Sequence, residues 1–85
     1  MSPVPPDQRH TLPLHPSVRA VLRWFDHAHL PADLQAVARP IADLAWEFAE
    51  RLPADPELTV GLRALLEAKD ALVRAAIAAR TEATP

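Results

Sequence analysis

Proline placement constrains the fold of this 85-residue chain more than any other feature of its sequence. Five of the ten prolines stand in residues 1–16, and proline both fixes φ and removes a backbone hydrogen-bond donor. We therefore expect residues 1–16 to form a flexible, extended tail. The remaining prolines are more widely spaced, and between them apolar residues recur at helical intervals. This alternation predicts helices separated by proline-marked turns.

Proline and capping residues indicate where these helices begin. Pro16 and Ser17 suit the start of a first helix, and Pro31 suits the first turn of a second. Asp55 is a natural N-cap for a third helix whose first position is Pro56. The predicted helices cover residues 17–25, 31–52 and 56–80.

The fold class follows from the helix lengths and the short turn between the last two helices. We predict an all-α fold in which a short helix precedes a long antiparallel helical hairpin. The hairpin domain covers residues 17–80, and residues 81–85 form a flexible C-terminus.

Both long helices carry a predicted apolar stripe. In the second helix the stripe comprises Leu34, Val37, Ala38, Ile41, Leu44, Ala45, Phe48 and Leu52. In the third it comprises Leu58, Leu62, Leu65, Leu66, Leu72, Val73, Ala76 and Ile77. Pro40 interrupts the second helix, where we expect a kink near Val37 rather than a break because the stripe keeps its phase. Two such stripes favour assembly into a homo-oligomeric bundle.

Composition excludes several classes of function. The chain has no cysteine and one glycine, which disfavours disulfides, thiolate zinc sites and phosphate-binding loops. Its net charge of −2 disfavours binding to DNA or RNA polymers. No apolar run approaches the ~18 residues of a membrane span, and no signal peptide is evident, so we expect a cytoplasmic protein. Ser17 has no neighbouring base to activate it, and we expect no enzymatic activity.

The stretch from Trp24 to His29, which reads Trp-Phe-Asp-His-Ala-His, has three interpretations: a hinge between helices, a ligand-binding corner, or a metal site. A metal site is the weakest of these, since two histidines separated by one residue fall short of the usual ligand spacing. On a short amphipathic helix one of Trp24 and Phe25 faces outward. An outward aromatic ring beside His27 is suited to stacking on a nucleobase.

Three basic residues are candidates for contacting an anion. Lys69 falls within the apolar stripe of the third helix, where a cation needs an ion-pair partner or a ligand. Arg74 follows Asp70 by four residues, the spacing of a helical ion pair. Arg39 directly precedes Pro40 and could reach a phosphate with both arms of its guanidinium.

Four short motifs follow one another between residues 24 and 80: F-x-H-x-x-L-P-x-x-L-Q, then L-P-x-x-P-E, then L-R-x-L-L-E-A and a closing A-A-I-A-A. Their order resembles a family of phage anti-defence proteins, the helical-hairpin sponges that counter CBASS and, in a related branch, Thoeris immunity. In the corner, His27 stands where the family usually has a tyrosine.

The resemblance implies a homo-oligomer, with a hexamer favoured, that works in the cytoplasm of a bacterial host without a cofactor. It implies binding of cyclic di- or trinucleotides, or cyclic ADP-ribose signals, without cleavage. Bases would stack on Trp24 or Phe25 with His27, and phosphates would contact Arg39, Lys69 and Arg74. The alternative is an oligomeric interaction module that holds a protein through its proline-rich tail. A DNA-binding regulator is disfavoured by the acidic balance.

Overall fold

A computed structural model describes residues 14–83, with side chains described to residue 80. Within that range the chain is all-α, as predicted, and it contains three helices and a 3₁₀ turn. Helix α1 spans Pro16–Leu22 and continues as the 3₁₀ turn Arg23–Phe25, α2 spans Ala32–Arg51, and α3 spans Pro56–Ala83. The predictions for residues 1–13, including any partner held by the tail, lie outside the described residues. No helix of the described range is both long and apolar enough to cross a membrane.

The predicted helix boundaries are correct to within a few residues, and the differences have local causes. Helix α1 begins at Pro16 instead of Ser17, and its cap is the imidazole of His15, whose Nδ1 accepts the Ser17 N–H at 3.1 Å. The Oγ of Ser17 lies 2.8 Å from the same nitrogen, so Ser17 supports the cap instead of forming it. Helix α3 continues to Ala83, beyond the predicted end at Arg80, because no helix-breaking residue intervenes.

The turn between α2 and α3 has the predicted chemistry. An oxygen of Asp55 accepts the Glu57 N–H at 2.8 Å, and this satisfies one of the open donors at the start of α3. Near the end of α2, Arg51 pairs with Glu47 at 2.7 Å, an ion pair between residues one helical turn apart.

The predicted apolar face of α2 is partly wrong. Leu34, Ala38 and Ala45 are buried as expected, but the other buried positions are Ala42 and Ala49. Leu44 and Leu52 are exposed instead. Alanines at the centre of the buried face let neighbouring helices approach α2 closely. The core is completed by larger side chains of α1, the 3₁₀ turn and α3, namely Val18, Val21, Leu22, Phe25, Leu58 and Leu62.

Pro40 lies within α2 without ending it, since the helix is continuous from Ala32 to Arg51. Proline removes the hydrogen bond to the carbonyl four residues earlier, at Ala36. Both Pro40 and Ala36 are exposed, so water can reach that carbonyl. The kink near Val37 stays a prediction.

The predicted stripe of α3 is buried only in its first half. Leu58 and Leu62 lie in the core, and Leu65 and Leu66 pack against it. Leu72 and Ile77 are exposed, contrary to prediction. Val73 and Ala76 of the same stripe are half-buried, so in this half of α3 the exposed residues are those at the two edges of the stripe.

Candidate functional site

A groove of about 490 Å³ lies between the corner that follows α1 and the middle of α3. This groove is the candidate site, since it contains three of the six predicted ligand-binding residues. Its lining comprises Arg23, Trp24, Asp26, His29, Leu30, Lys69, Asp70, Val73 and Arg74.

The two aromatic residues of the corner point in different directions, one to solvent and one to the core. Trp24 is 59% exposed and lines the groove, whereas Phe25 is 1% exposed and lies in the core. This confirms that one of the pair faces outward. Successive residues of a 3₁₀ turn differ in direction by about 120°, which separates the two rings. Of the two predicted alternatives for stacking, the buried Phe25 ring is not accessible to a ligand, and the Trp24 ring is.

Arg23 lies next to the exposed indole. Its guanidinium carbon is 5.0 Å from the centroid of the Trp24 ring, within the range of a cation–π contact. The contact keeps a positive charge beside the one large flat surface of the groove. Arg23 was not among the predicted site residues.

Lys69 connects α3 to the corner. Its Nζ donates a hydrogen bond to the Trp24 carbonyl at 3.1 Å and pairs with Asp70 Oδ1 at 2.7 Å, and its side chain is 12% exposed. The predicted need for a partner is thus met within the chain. A lysine ammonium has three N–H donors, so one remains for a ligand.

Arg74 is the other basic residue that α3 contributes to the groove. The expected Asp70–Arg74 pair does not form, because the Asp70 carboxylate is turned toward Lys69. With the residues that the structure describes, Arg74 makes no hydrogen bond or ion pair. Its guanidinium is therefore open to an anionic ligand.

Of the two histidines in the corner, the one that lines the groove is not the one predicted to bind the ligand. The His27 ring is half-buried and donates from Nδ1 to the Phe25 carbonyl at 3.1 Å, outside the groove. The stacking role predicted for His27 is therefore not supported by its position, and His29 lines the groove instead. Gln35 fixes the backbone on both sides of His29, since its amide donates to the Ala28 carbonyl at 3.3 Å and to the Leu30 carbonyl at 2.7 Å.

Two further predictions concern metal binding and Arg39. In the described range no three His, Asp or Glu side chains lie close enough together to hold a metal ion. Arg39 is exposed on α2 and does not line the groove. Within one chain the structure therefore brings together Trp24, Lys69 and Arg74, but not Arg39.

The groove has a positive balance. Arg23, Lys69 and Arg74 stand against Asp26 and Asp70, which leaves one net positive charge in a chain of net charge −2. Asp26 also accepts the Ala28 N–H at 3.2 Å. An anion with a flat apolar part suits this combination of cations and an exposed indole.

Comparisons of the chain with protein-family models, curated proteins and solved structures find no match. Support for a function therefore comes from the sequence motifs and from the groove. The motifs name an aromatic ring and basic side chains as ligand contacts, and the groove contains an aromatic ring with basic side chains.

Proposed function

We propose that the protein is a sponge for cyclic nucleotide signals, similar to the phage proteins that counter CBASS and Thoeris immunity. It binds the signal in the groove and holds it without cleaving it. The observation that carries the proposal is the exposed Trp24 ring beside Arg23, Lys69 and Arg74.

The groove matches the chemistry of a cyclic di- or trinucleotide in two respects. Such a ligand carries flat bases, and a base can stack on the indole of Trp24 for about 1–3 kcal/mol. It also carries phosphates, which the Arg74 guanidinium can bind with two parallel hydrogen bonds and which the free donor of Lys69 can reach. The volume of about 490 Å³ lies within the range of small-molecule sites.

Binding without cleavage is supported by the state of the two carboxylates in the groove. Asp26 accepts a backbone N–H and Asp70 pairs with Lys69. Both carboxylates make local contacts, and the groove lining includes no serine, threonine, cysteine or tyrosine that either could activate as a nucleophile. The function is then sequestration by mass action, in which affinity and abundance decide how much signal remains free.

The proposal includes the arrangement of the chain and its assembly. The bond between Arg80, near the end of α3, and Asp33, in the first turn of α2, supports an antiparallel hairpin. The resemblance favours a homo-oligomer, with a hexamer as the expected form, encoded by a phage or prophage and acting in the host cytoplasm. Arg39, outside the groove of its own chain, would contact a ligand only if another copy brought the ligand to it.

Calorimetric titration of the full chain with cyclic dinucleotides, cyclic trinucleotides and cyclic ADP-ribose isomers tests this function. We expect at least one of these ligands to bind, and we expect Trp24→Ala to weaken that binding roughly 5- to 150-fold, the loss of one stacked base. Because Trp24 is exposed, the variant should keep the helical circular dichroism of the parent. A parent protein that binds none of these ligands contradicts the proposal.

A further inference from the structure

A second groove, of about 360 Å³, adjoins the candidate site between α1 and the first half of α3. Its lining comprises Ala20, Val21, Trp24, Arg63, Leu66 and Glu67. Trp24 lines both grooves and is largely exposed. This residue therefore separates two neighbouring clefts, and the proposed function uses only the one that contains Lys69 and Arg74.

Arg63 supplies the positive charge of the second groove. It is exposed, and its side chain makes no hydrogen bond or ion pair with the residues that the structure describes. An arginine whose N–H donors are all available can bind a phosphate with two parallel hydrogen bonds. The second groove thus offers the same kind of anion contact that Arg74 gives the first.

Arg63 and Arg74 lie on the same side of α3. The eleven positions between them correspond to about 16 Å along the helix and about 20° around its axis. Lys69 lies near the middle of this span, and its Nζ donates to the Trp24 carbonyl at 3.1 Å. Trp24 is therefore held between the two arginines, with one guanidinium lining each groove.

The other walls of the second groove suit a nucleoside. Ala20, Val21 and Leu66 form an apolar wall against which a base can lie. Glu67, one helical turn after Arg63, carries a carboxylate that accepts hydrogen bonds, and the amino groups of bases are donors. The second groove therefore contains contacts for a base as well as for a phosphate.

We propose that the two grooves form one site for a cyclic di- or trinucleotide, in which Arg63 binds a second phosphate. This inference rests on the proposed function and names the ligand class within it. In a cyclic di- or trinucleotide a phosphate stands on each side of every nucleoside, so a base stacked on Trp24 has one phosphate toward Arg74 and another toward Arg63. In cyclic ADP-ribose the phosphates are joined as one pyrophosphate, which lies at one end of this span only. The site therefore favours cyclic oligonucleotides over cyclic ADP-ribose isomers.

Calorimetric titration of the parent chain and of Arg63→Met with cyclic dinucleotides, cyclic trinucleotides and cyclic ADP-ribose isomers tests the second groove. We expect the parent chain to bind a cyclic di- or trinucleotide more tightly than any cyclic ADP-ribose isomer. Arg63→Met should weaken binding of that oligonucleotide roughly 10- to 150-fold, the loss of one charge-assisted contact. The matched control is Arg51→Met, which loses the same charge outside both grooves and should bind as the parent does. Because Arg63 is exposed, its variant should keep the helical circular dichroism of the parent.

The outcomes distinguish this inference from the proposed function. If Arg63→Met binds the oligonucleotide as tightly as the parent does while Trp24→Ala binds it more weakly, the second groove is overturned and the sponge is not. Tighter binding of a cyclic ADP-ribose isomer than of every cyclic di- and trinucleotide would have the same consequence. A parent chain that binds no ligand of the panel would overturn both.

Discussion

The Lys69 ammonium has a structural role in this fold and a proposed role in ligand binding. A variant without the ammonium lets the two be measured separately, as folding stability and as ligand affinity. In Lys69→Met the side chain keeps a similar length and an apolar stem. It loses the hydrogen bond to the Trp24 carbonyl and the ion pair with Asp70. Asp70 is half exposed and can turn to water, so we expect a loss of only about 1–2 kcal/mol of folding stability. The third N–H, which is free for a phosphate, is worth about 1.5–3 kcal/mol as a charge-assisted hydrogen bond. Affinity for the cyclic nucleotide should therefore fall roughly 10- to 150-fold.

The assay is calorimetric titration of Lys69→Met beside Arg51→Met, a variant that loses the same charge far from the groove. Arg51 lies at the end of α2, where it contacts Glu47 and does not line the groove. Arg51→Met should bind as the parent does, and Lys69→Met should show the loss at an unchanged oligomer mass. Equal affinities for the parent and Lys69→Met would refute the assignment of Lys69 to the ligand.

Three further predictions concern the fold. Leu62→Ala, at a position 1% exposed, should lower the free energy of unfolding by about 2–5 kcal/mol in urea denaturation, and a smaller loss would mean that the core is not packed around Leu62. Asp55→Ala should cost about 1 kcal/mol through loss of the α3 cap, measured in the same way, and an unchanged midpoint would contradict the cap. The hydrogen bond from Arg80 lowers the pKa of Asp33 below its usual value of 3.8, so this contact stabilises the fold above that pH and is lost as pH falls through the lowered pKa. The melting temperature should therefore fall more steeply in acid for the parent than for Asp33→Asn, and parallel curves would count against the bond.

The helix ends were predictable because their causes are local. Asp55 caps α3 through an N–H two residues away, and Glu47 meets Arg51 one turn later. Such contacts depend on spacing along the chain, which can be read directly. The exception is His15, whose cap of α1 was missed because Ser17 is by type the better capping residue.

The buried face of α2 could not be predicted from periodicity alone. The apolar residues of this helix cover a wide arc, and the large side chains Leu44 and Phe48 shifted the predicted centre of the stripe toward one edge. The true centre runs through Ala38 and Ala45, because α1 and α3 both need to approach α2 closely. Which small residues are buried depends on tertiary contacts that spacing does not contain.

The candidate site was predictable in its chemistry but not in its geometry. Trp24, Lys69 and Arg74 lie in one groove as the motifs suggested. The 3₁₀ turn Arg23–Phe25 buries Phe25, and in the turn that follows it His29, not His27, lines the groove. The sequence shows two histidines in the corner, but their spacing does not show which of them faces α3.

Release of bound ligand tests the central claim most directly. The purified full chain is incubated with a panel of cyclic dinucleotides, cyclic trinucleotides and cyclic ADP-ribose isomers, freed of unbound ligand, denatured by heat and analysed by chromatography. The account predicts recovery of one intact cyclic nucleotide at a simple ratio to subunits. Recovery of a cleaved product would contradict sequestration, and an empty trace across the whole panel would contradict nucleotide binding itself.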